Sequence, residues 1–165
     1  MAEKFITYYQ SPLGLLQIEG TANCISMVEF RNNTAGLPPS TSYLPELGIQ
    51  CTEQLIQYFS GARRNFELPV EQEGTSFQRN TWSLLMNIPF GKTISYLQLA
   101  VNAGDAKATR AVANANSKNK VAIIVPCHRV IGANRELTGY AGGLWRKQRL
   151  LEHETRIMYG VQTLF

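Results

Sequence analysis

The chain has 165 residues and a mass of 18.4 kDa, with 44% hydrophobic and 10% aromatic residues, enough to build one ordinary domain or two small lobes without metal or disulfide staples. Its three cysteines, Cys24, Cys51 and Cys127, are odd in number and widely separated, which argues against a disulfide framework or a CxxC zinc site and leaves at least one thiol free. No apolar run approaches the roughly 18 residues of a membrane span, and the N-terminus "MAEKFITYYQSPLG" lacks a leader's apolar stretch, so a soluble, intracellular, cytoplasmic protein without membrane contact is expected.

The net charge of +4 conceals an asymmetry. Residues 1–75 hold four basic and eight acidic side chains, and residues 76–165 hold twelve and four, so the two parts carry −4 and +8. A polyanion such as nucleic acid, bound by the second part alone, is one explanation. A solvated basic surface that favours solubility is the other.

In chain order, "KFITYYQ", "GLLQIEG" and "CISMVEF" are short runs of β-branched and aromatic residues punctuated by "SPLG" and "TAN", the pattern of an antiparallel hairpin sheet. Cys24 falls in the third of these and reads as a packed apolar residue. A loop, "NNTAGLPPSTSYLP", precedes a helix on which Leu47, Cys51, Leu55 and Tyr58 form one stripe, closed by Gly61 as C-cap. "RRNFELPVEQEGTS" reads as a linker, placing a first lobe at residues 1–75 and a second at 76–165.

The second lobe opens with "TSFQRNTWSLLMNIPFG", a Thr- or Ser-capped helix with Phe77, Trp82, Leu85 and Ile88 near one face. A helix from Ser95 to Gly104, then another from the N-cap Asp105 through "AKATRAVANAN", give two short helices about a glycine turn, the pattern of a helix-turn-helix. Its second helix shows alanines and small polar residues around Arg110. That surface suits close approach to a narrow groove, or the alanines simply pack on the core.

"KVAIIVPCHRV" reads as a buried strand ended by Pro126, delivering Cys127 at its C-terminal end. A lone buried cysteine is normally inert, but His128 and Arg129 add positive charge beside the sulfur, which favours thiolate. A cysteine hydrolase is one reading of Cys127 and His128. In extended backbone, however, neighbouring side chains face opposite ways, and the other histidine, His153, lies among acidic residues.

"VPCHRVIG", "LTGYAGG", "FQRNTWSLLMNIPFGKTISYLQLA" and "ATRAVANANSKN" together resemble the O6-alkylguanine-DNA alkyltransferases, over about residues 76–156. The resemblance implies an α+β fold: a small N-terminal antiparallel sheet with a helix, of ribonuclease H-like type, and a mainly helical C-terminal lobe with the helix-turn-helix. It implies direct-reversal repair in which the Cys127 thiolate takes the alkyl group from O6-alkylguanine and keeps it as a thioether, in a single turnover. His128 matches the base, acting through a bridging water, with Glu154 polarising it and Asn119 orienting the turn. Tyr96 matches the phenol that protonates the departing guanine, and Val130, Tyr140 and Ala141 match the base pocket.

Arg110 matches the residue that fills the duplex when the nucleotide is flipped, while Ala111, Ala113 and Lys107 accompany it in minor-groove docking. The implied partner is double-stranded DNA bound by a monomer, with no metal and no organic cofactor. Independently, Glu154 sits near the end of "LWRKQRLLEHE", where the helix dipole disfavours an anion, so a partner explains it mildly better than helix stability; a solvated glutamate is the plainer account. Asn119 as a simple turn former and Tyr96 as a core residue are the corresponding plain accounts of those positions.

Two positions depart from the family pattern. Arg135 follows "IGAN" where glycine is common, and a Cβ resists the positive φ of such turns, so the loop is expected to take another path. Lys120 stands where proline is common. Both changes add cations, and charge reversal at Arg135 is expected to weaken duplex binding; an unchanged affinity and salt slope would refute this. A lesion-binding helix-turn-helix sensor with a poorly reactive cysteine is the alternative reading.

Overall fold

A computed structural model describes residues 2–160 of the protein. The chain forms two compact units, one running through Gln72 and the other beginning at Glu73.

In the first unit, β1 (Phe5–Ser11), β2 (Gly14–Gly20) and β3 (Ile25–Arg31) form an antiparallel meander in that order. β2 is central, and Leu16 and Ile18 are fully buried on it. The helix α1 (Glu46–Ser60) covers the sheet with Leu47, Cys51, Leu55 and Tyr58, and Gly61 ends it at φ +84°, a conformation glycine adopts without strain. Each large apolar side chain so buried contributes about 1.5–3 kcal/mol. Burial pushes the Cys51 thiol up to about 12, so it is a packing residue.

Two local expectations change. Cys24 lies just before β3, half-buried, with Sγ 3.7 Å from Thr21 Oγ1. The segment read as a linker is partly tied down: Ile25 N–H donates to Pro69 O (2.8 Å) and Glu71 N–H to Ile25 O (3.0 Å), so Val70 pairs beside β3.

In the second unit, α2 (Ser76–Leu85) starts from a reciprocal capping box between Thr75 and Gln78. Trp82 and Leu85 are buried, and so is Ile88 beyond the helix, but Phe77, one turn before buried Thr81 on the same stripe, lies 40% exposed in the first turn. The two-residue β4 (Ile94–Ser95) leads into α3 (Tyr96–Asn102), for which Ser95 is the N-cap. Gly104 turns the chain, Asp105 caps a 3-10 turn at Ala106–Ala108, and α4 (Thr109–Ser117) follows. The second helix of the motif is therefore a 3-10 turn plus an α-helix, packed on α2 and α3 through Val112 and Ala115.

The apolar run 121–125 is not a strand. Val121 makes an isolated bridge and residues 122–124 turn, with Ile123 at φ +71°. Apolar residues here signal burial, and the two-residue periodicity that defines a strand is absent. Cys127–Arg129 then form one turn of 3-10 helix, and β5 (Val130–Ile131) pairs in parallel with β4.

In the loop after β5 the conformation of Arg135 is not the one its side chain favours. Asn134 and Arg135 both take positive φ, +61° and +63°, and Gly132 N–H donates to Glu136 O at 2.7 Å. Arginine thus accepts the left-handed region that its Cβ resists, at a cost of about 1–2 kcal/mol. Arg135→Gly should raise stability by about 1 kcal/mol in denaturant unfolding, and an unchanged or lower midpoint would contradict the strain.

The last helix, α5 (Leu144–Met158), extends four residues beyond Glu154. The carboxylate therefore sits outside the last turn, and the helix dipole is a minor influence on it. No helix among the described residues is long and apolar enough to cross a membrane.

Candidate active site

Cys127 occupies the first position of the 3-10 turn and is 6% exposed. The bend before it is held by Asn119, whose Nδ2 donates to Val121 O (3.3 Å) and Val125 O (2.9 Å) while its Oδ1 accepts Val121 N–H (3.1 Å). These bonds compensate a β-branched residue, Ile123, in the left-handed region. The 3-10 turn also removes the geometric objection raised for extended backbone, because Cys127 and His128 no longer alternate across a strand.

His128 and Glu154 are buried together, with His128 Nε2 2.6 Å from Glu154 Oε2. Arg129 grips the same carboxylate from its other edge, Nε to Oε1 at 2.8 Å and a terminal nitrogen to Oε2 at 3.1 Å, and donates to Ile88 O at 2.8 Å. Gly91 N–H also donates to Oε1, at 3.0 Å. Gly91 has φ +78°, which favours glycine, and a Cβ there would lie 2.2 Å from Met158 Cγ, so the methionine side chain would have to shift.

Burial alone would raise the Glu154 carboxyl, but His128 and Arg129 outweigh it and hold the group well below the usual carboxylate range. Burial lowers the His128 ring from its ordinary value; Glu154 pulls it up, while Arg129 and Lys147 push it down. The pair is therefore a neutral imidazole and an ionised carboxylate. Nε2–H donates to Glu154, which leaves the Nδ1 lone pair as the free base, and Nδ1 is buried with no partner among the described residues.

Both groups hold fewer protons when folded than when unfolded, so acid destabilises the protein. His128 begins to weigh as pH falls below its ordinary 6.5, and Glu154 as it falls below 4.5. Thermal unfolding should show Tm dropping from about pH 7 to about pH 5, and a flat or rising Tm would contradict this assignment of protons.

The charge facing the sulfur comes from an unexpected source. Arg129 is neutralised by Glu154, whereas Lys147, fully buried on α5, directs Nζ to Val130 O (2.6 Å) and Thr138 O (2.8 Å). Burial lowers this ammonium to about 8, against the pull of Cys127. For Cys127 itself burial dominates and pushes the thiol up, while the Asn119 side chain, the Lys147 charge and a backbone hydrogen bond act the other way. The thiol is thus protonated at rest and needs a base, contrary to the thiolate expected from its sequence neighbours.

Tyr96 heads α3 immediately after the β4–β5 ladder, which brings the start of that helix beside the segment following Cys127. Its hydroxyl donates to Thr138 O at 3.1 Å, and Lys147 Nζ lies 5.7 Å from its ring centroid. Val130 joins the network through its carbonyl. The Tyr140 hydroxyl is buried without a partner among the described residues, held by burial well above its ordinary value, and Ala141 is exposed.

Arg110 and Ala111 are exposed on α4, Ala113 is half-buried, and Lys107 is exposed on the preceding 3-10 turn. Arg135 is exposed at its loop. Among the described residues, no side-chain hydrogen bond ties these to the Cys127 network. Lys147, Gly91 and the locking role of Arg129 escape the sequence because their partners are remote. No group of three or more metal-ligating side chains occurs among the described residues.

A buried thiol beside a carboxylate-anchored neutral imidazole, in a unit that also carries a helix-turn-helix, defines a protein built for nucleophilic cysteine chemistry next to a nucleic-acid-type surface. Residues 76–156 match the family described as 6-O-methylguanine DNA methyltransferase, DNA binding domain, and residues 4–72 match its ribonuclease-like domain. A methylated-DNA–protein-cysteine methyltransferase of Methanosarcina acetivorans is 40% identical over 152 residues, 91% of this chain and 97% of the relative. One from Mycobacterium leprae is 42% identical over 94% of each chain. The crystal structure of Mycobacterium tuberculosis O6-methylguanine methyltransferase superposes with TM-score 0.83 at 37% identity, covering 93% of both chains. That of Mycobacterium tuberculosis OGT in complex with DNA gives 0.80 at 39% identity, over 91% of this chain and 92% of that one. The chain belongs to the 6-O-methylguanine DNA methyltransferase family.

Proposed function

We propose that the protein repairs DNA by direct reversal, moving the alkyl group of O6-alkylguanine irreversibly to Cys127. The observation that carries this reading is the His128–Glu154 pair, which fixes the imidazole as a neutral base with Nδ1 free in the same turn as the buried thiol. His128 Nδ1 takes the Cys127 proton through one bridging water, and Glu154 stabilises the resulting imidazolium. The sulfur attacks the alkyl carbon as the carbon–oxygen bond breaks, the Tyr96 hydroxyl protonates the departing guanine, and a thioether remains. A thioether has no hydrolytic exit, so each molecule acts once.

An alkyl carbon in a stacked duplex is closed to in-line attack, so the nucleotide must leave the stack. Arg110 fills the gap from the exposed face of α4, with Ala111 and Ala113 allowing close approach to the minor groove, Lys107 and Arg135 meeting phosphates, and Val130, Tyr140 and Ala141 lining the base pocket. The DNA-bound relative and the +8 balance of residues 76–165 support duplex DNA as the partner. We assign DNA binding and alkyl acceptance to residues 76–165, residues 1–75 forming the other lobe, and action as a cytoplasmic monomer without metal or organic cofactor.

The test is loss of O6-methylguanine from duplex DNA, followed by nucleoside chromatography against protein concentration. Conversion to guanine that stops at one equivalent supports the reading. Continued turnover would point to a hydrolase, and binding without conversion to a lesion sensor.

A further inference from the structure

Asn116 is a buried polar side chain that the chemistry above does not use. It lies on the inward side of α4, six residues after Arg110, and is 2% exposed. Its Nδ2 donates to Cys127 O at 3.3 Å, and that carbonyl also accepts Val130 N–H. Because a carbonyl can only accept, the amide is fixed with Nδ2 toward the nucleophile's peptide and Oδ1 turned away. Asn116 Oδ1 is buried and has no partner among the described residues. An apolar side chain of similar size would avoid that orphaned acceptor, so the donor has a task that outweighs it.

The end of α4 in fact holds the acceptor turn twice. Asn116 grips Cys127 O, and Asn119, three residues on, grips Val125 O and Val121. Trp82 Nε1 donates to Ala115 O at 2.8 Å and fixes the same helical turn from α2. The opposite, exposed side of α4 presents Arg110 and Ala111. A short helix moves as a unit, so a displacement at the Arg110 end reaches the Cys127 peptide through a stiff, fully buried amide.

We propose that Asn116 is a positioning residue that couples the DNA-docking helix to the nucleophile, so that duplex bound at the Arg110 face sets the Cys127 peptide in its reactive placement. This rests on the reading of α4 as the docking helix and of Cys127 as the alkyl acceptor.

Asn116→Leu, of similar size but without the donor, and Asn116→Ala are compared with wild type in three measurements. These are affinity for undamaged duplex, transfer from duplex O6-methylguanine, and transfer from the free O6-methylguanine nucleoside, the last two read by intact mass. Coupling predicts unchanged affinity, duplex transfer slowed about tenfold or more, and nucleoside transfer within about twofold of wild type. Equal slowing of both transfers would overturn the proposal in favour of local support of the cysteine, and no slowing of either would overturn it outright. If both variants fail to fold, the wild-type Asn116 side-chain amide resonance is followed as undamaged duplex is added. A shift supports the coupling and a fixed resonance overturns it. Wild-type protein that modifies neither substrate would instead remove the alkyl-transfer reading itself.

Discussion

Glu154→Gln is expected to slow alkyl transfer from duplex O6-methylguanine by about a hundredfold or more. The carboxylate accepts from His128 Nε2, two nitrogens of Arg129 and Gly91 N–H. An amide offers one acceptor atom, so its NH₂ must face donors or donate to His128 Nε2. The second outcome forces the proton onto Nδ1 and abolishes the base. Stability falls too, because Arg129 is left buried without its counter-charge; removing one member of such a pair costs about 3–5 kcal/mol. Single-turnover rates, normalised to the folded fraction from denaturant unfolding, separate the two effects. A normalised rate near wild type would show that Glu154 is structural only.

Lys147→Met should act on the thiol itself. Lys147 lowers the Cys127 pKa by its charge and holds the carbonyls of Val130 and Thr138 at 2.6 and 2.8 Å. The variant leaves both carbonyls without that donor, at about 1–3 kcal/mol each where water cannot reach them. It also removes the opposing charge, so the pH dependence of Cys127 alkylation by iodoacetamide, mapped by peptide mass, should move to higher pH, and transfer at neutral pH should slow about tenfold. An unchanged Cys127 profile would mean that Lys147 only braces the loop. The wild-type ammonium, lowered to about 8, begins to lose its charge near that pH, so its help to the thiolate fades above it.

The elements that local chemistry specifies were legible in the sequence. Three β-branched runs separated by turn residues gave β1 to β3, and the Leu47, Cys51, Leu55, Tyr58 stripe with Gly61 gave α1. The helix-turn-helix followed from the Ser95 and Asp105 caps about Gly104. The 121–125 run was not legible, because unbroken burial looks the same for a strand and for a turn stapled by a distant amide. The positive φ of Arg135 was not legible either, because a strained residue is retained where its surroundings fix the turn.

Within the site, Cys127, His128 and Glu154 were marked by the PCHR motif and its family resemblance. The partners that decide their protonation were hidden. Arg129 reads in the sequence as a charge beside the sulfur and Lys147 as an ordinary surface cation, until the fold brings Glu154 and Val130 to them across 25 and 17 residues. Phe77 shows the converse, a large apolar residue in helical register that the first turn of α2 leaves exposed.

The most direct measurement of the central claim is the intact mass of the protein before and after incubation with duplex DNA carrying O6-methylguanine, with peptide mapping and a Cys127→Ser control. The account predicts a gain of one methyl group on the wild type, located on Cys127 and limited to one equivalent, with none on the control. A wild-type mass that does not change while the lesion is bound, or a methyl group found on another residue, would contradict it.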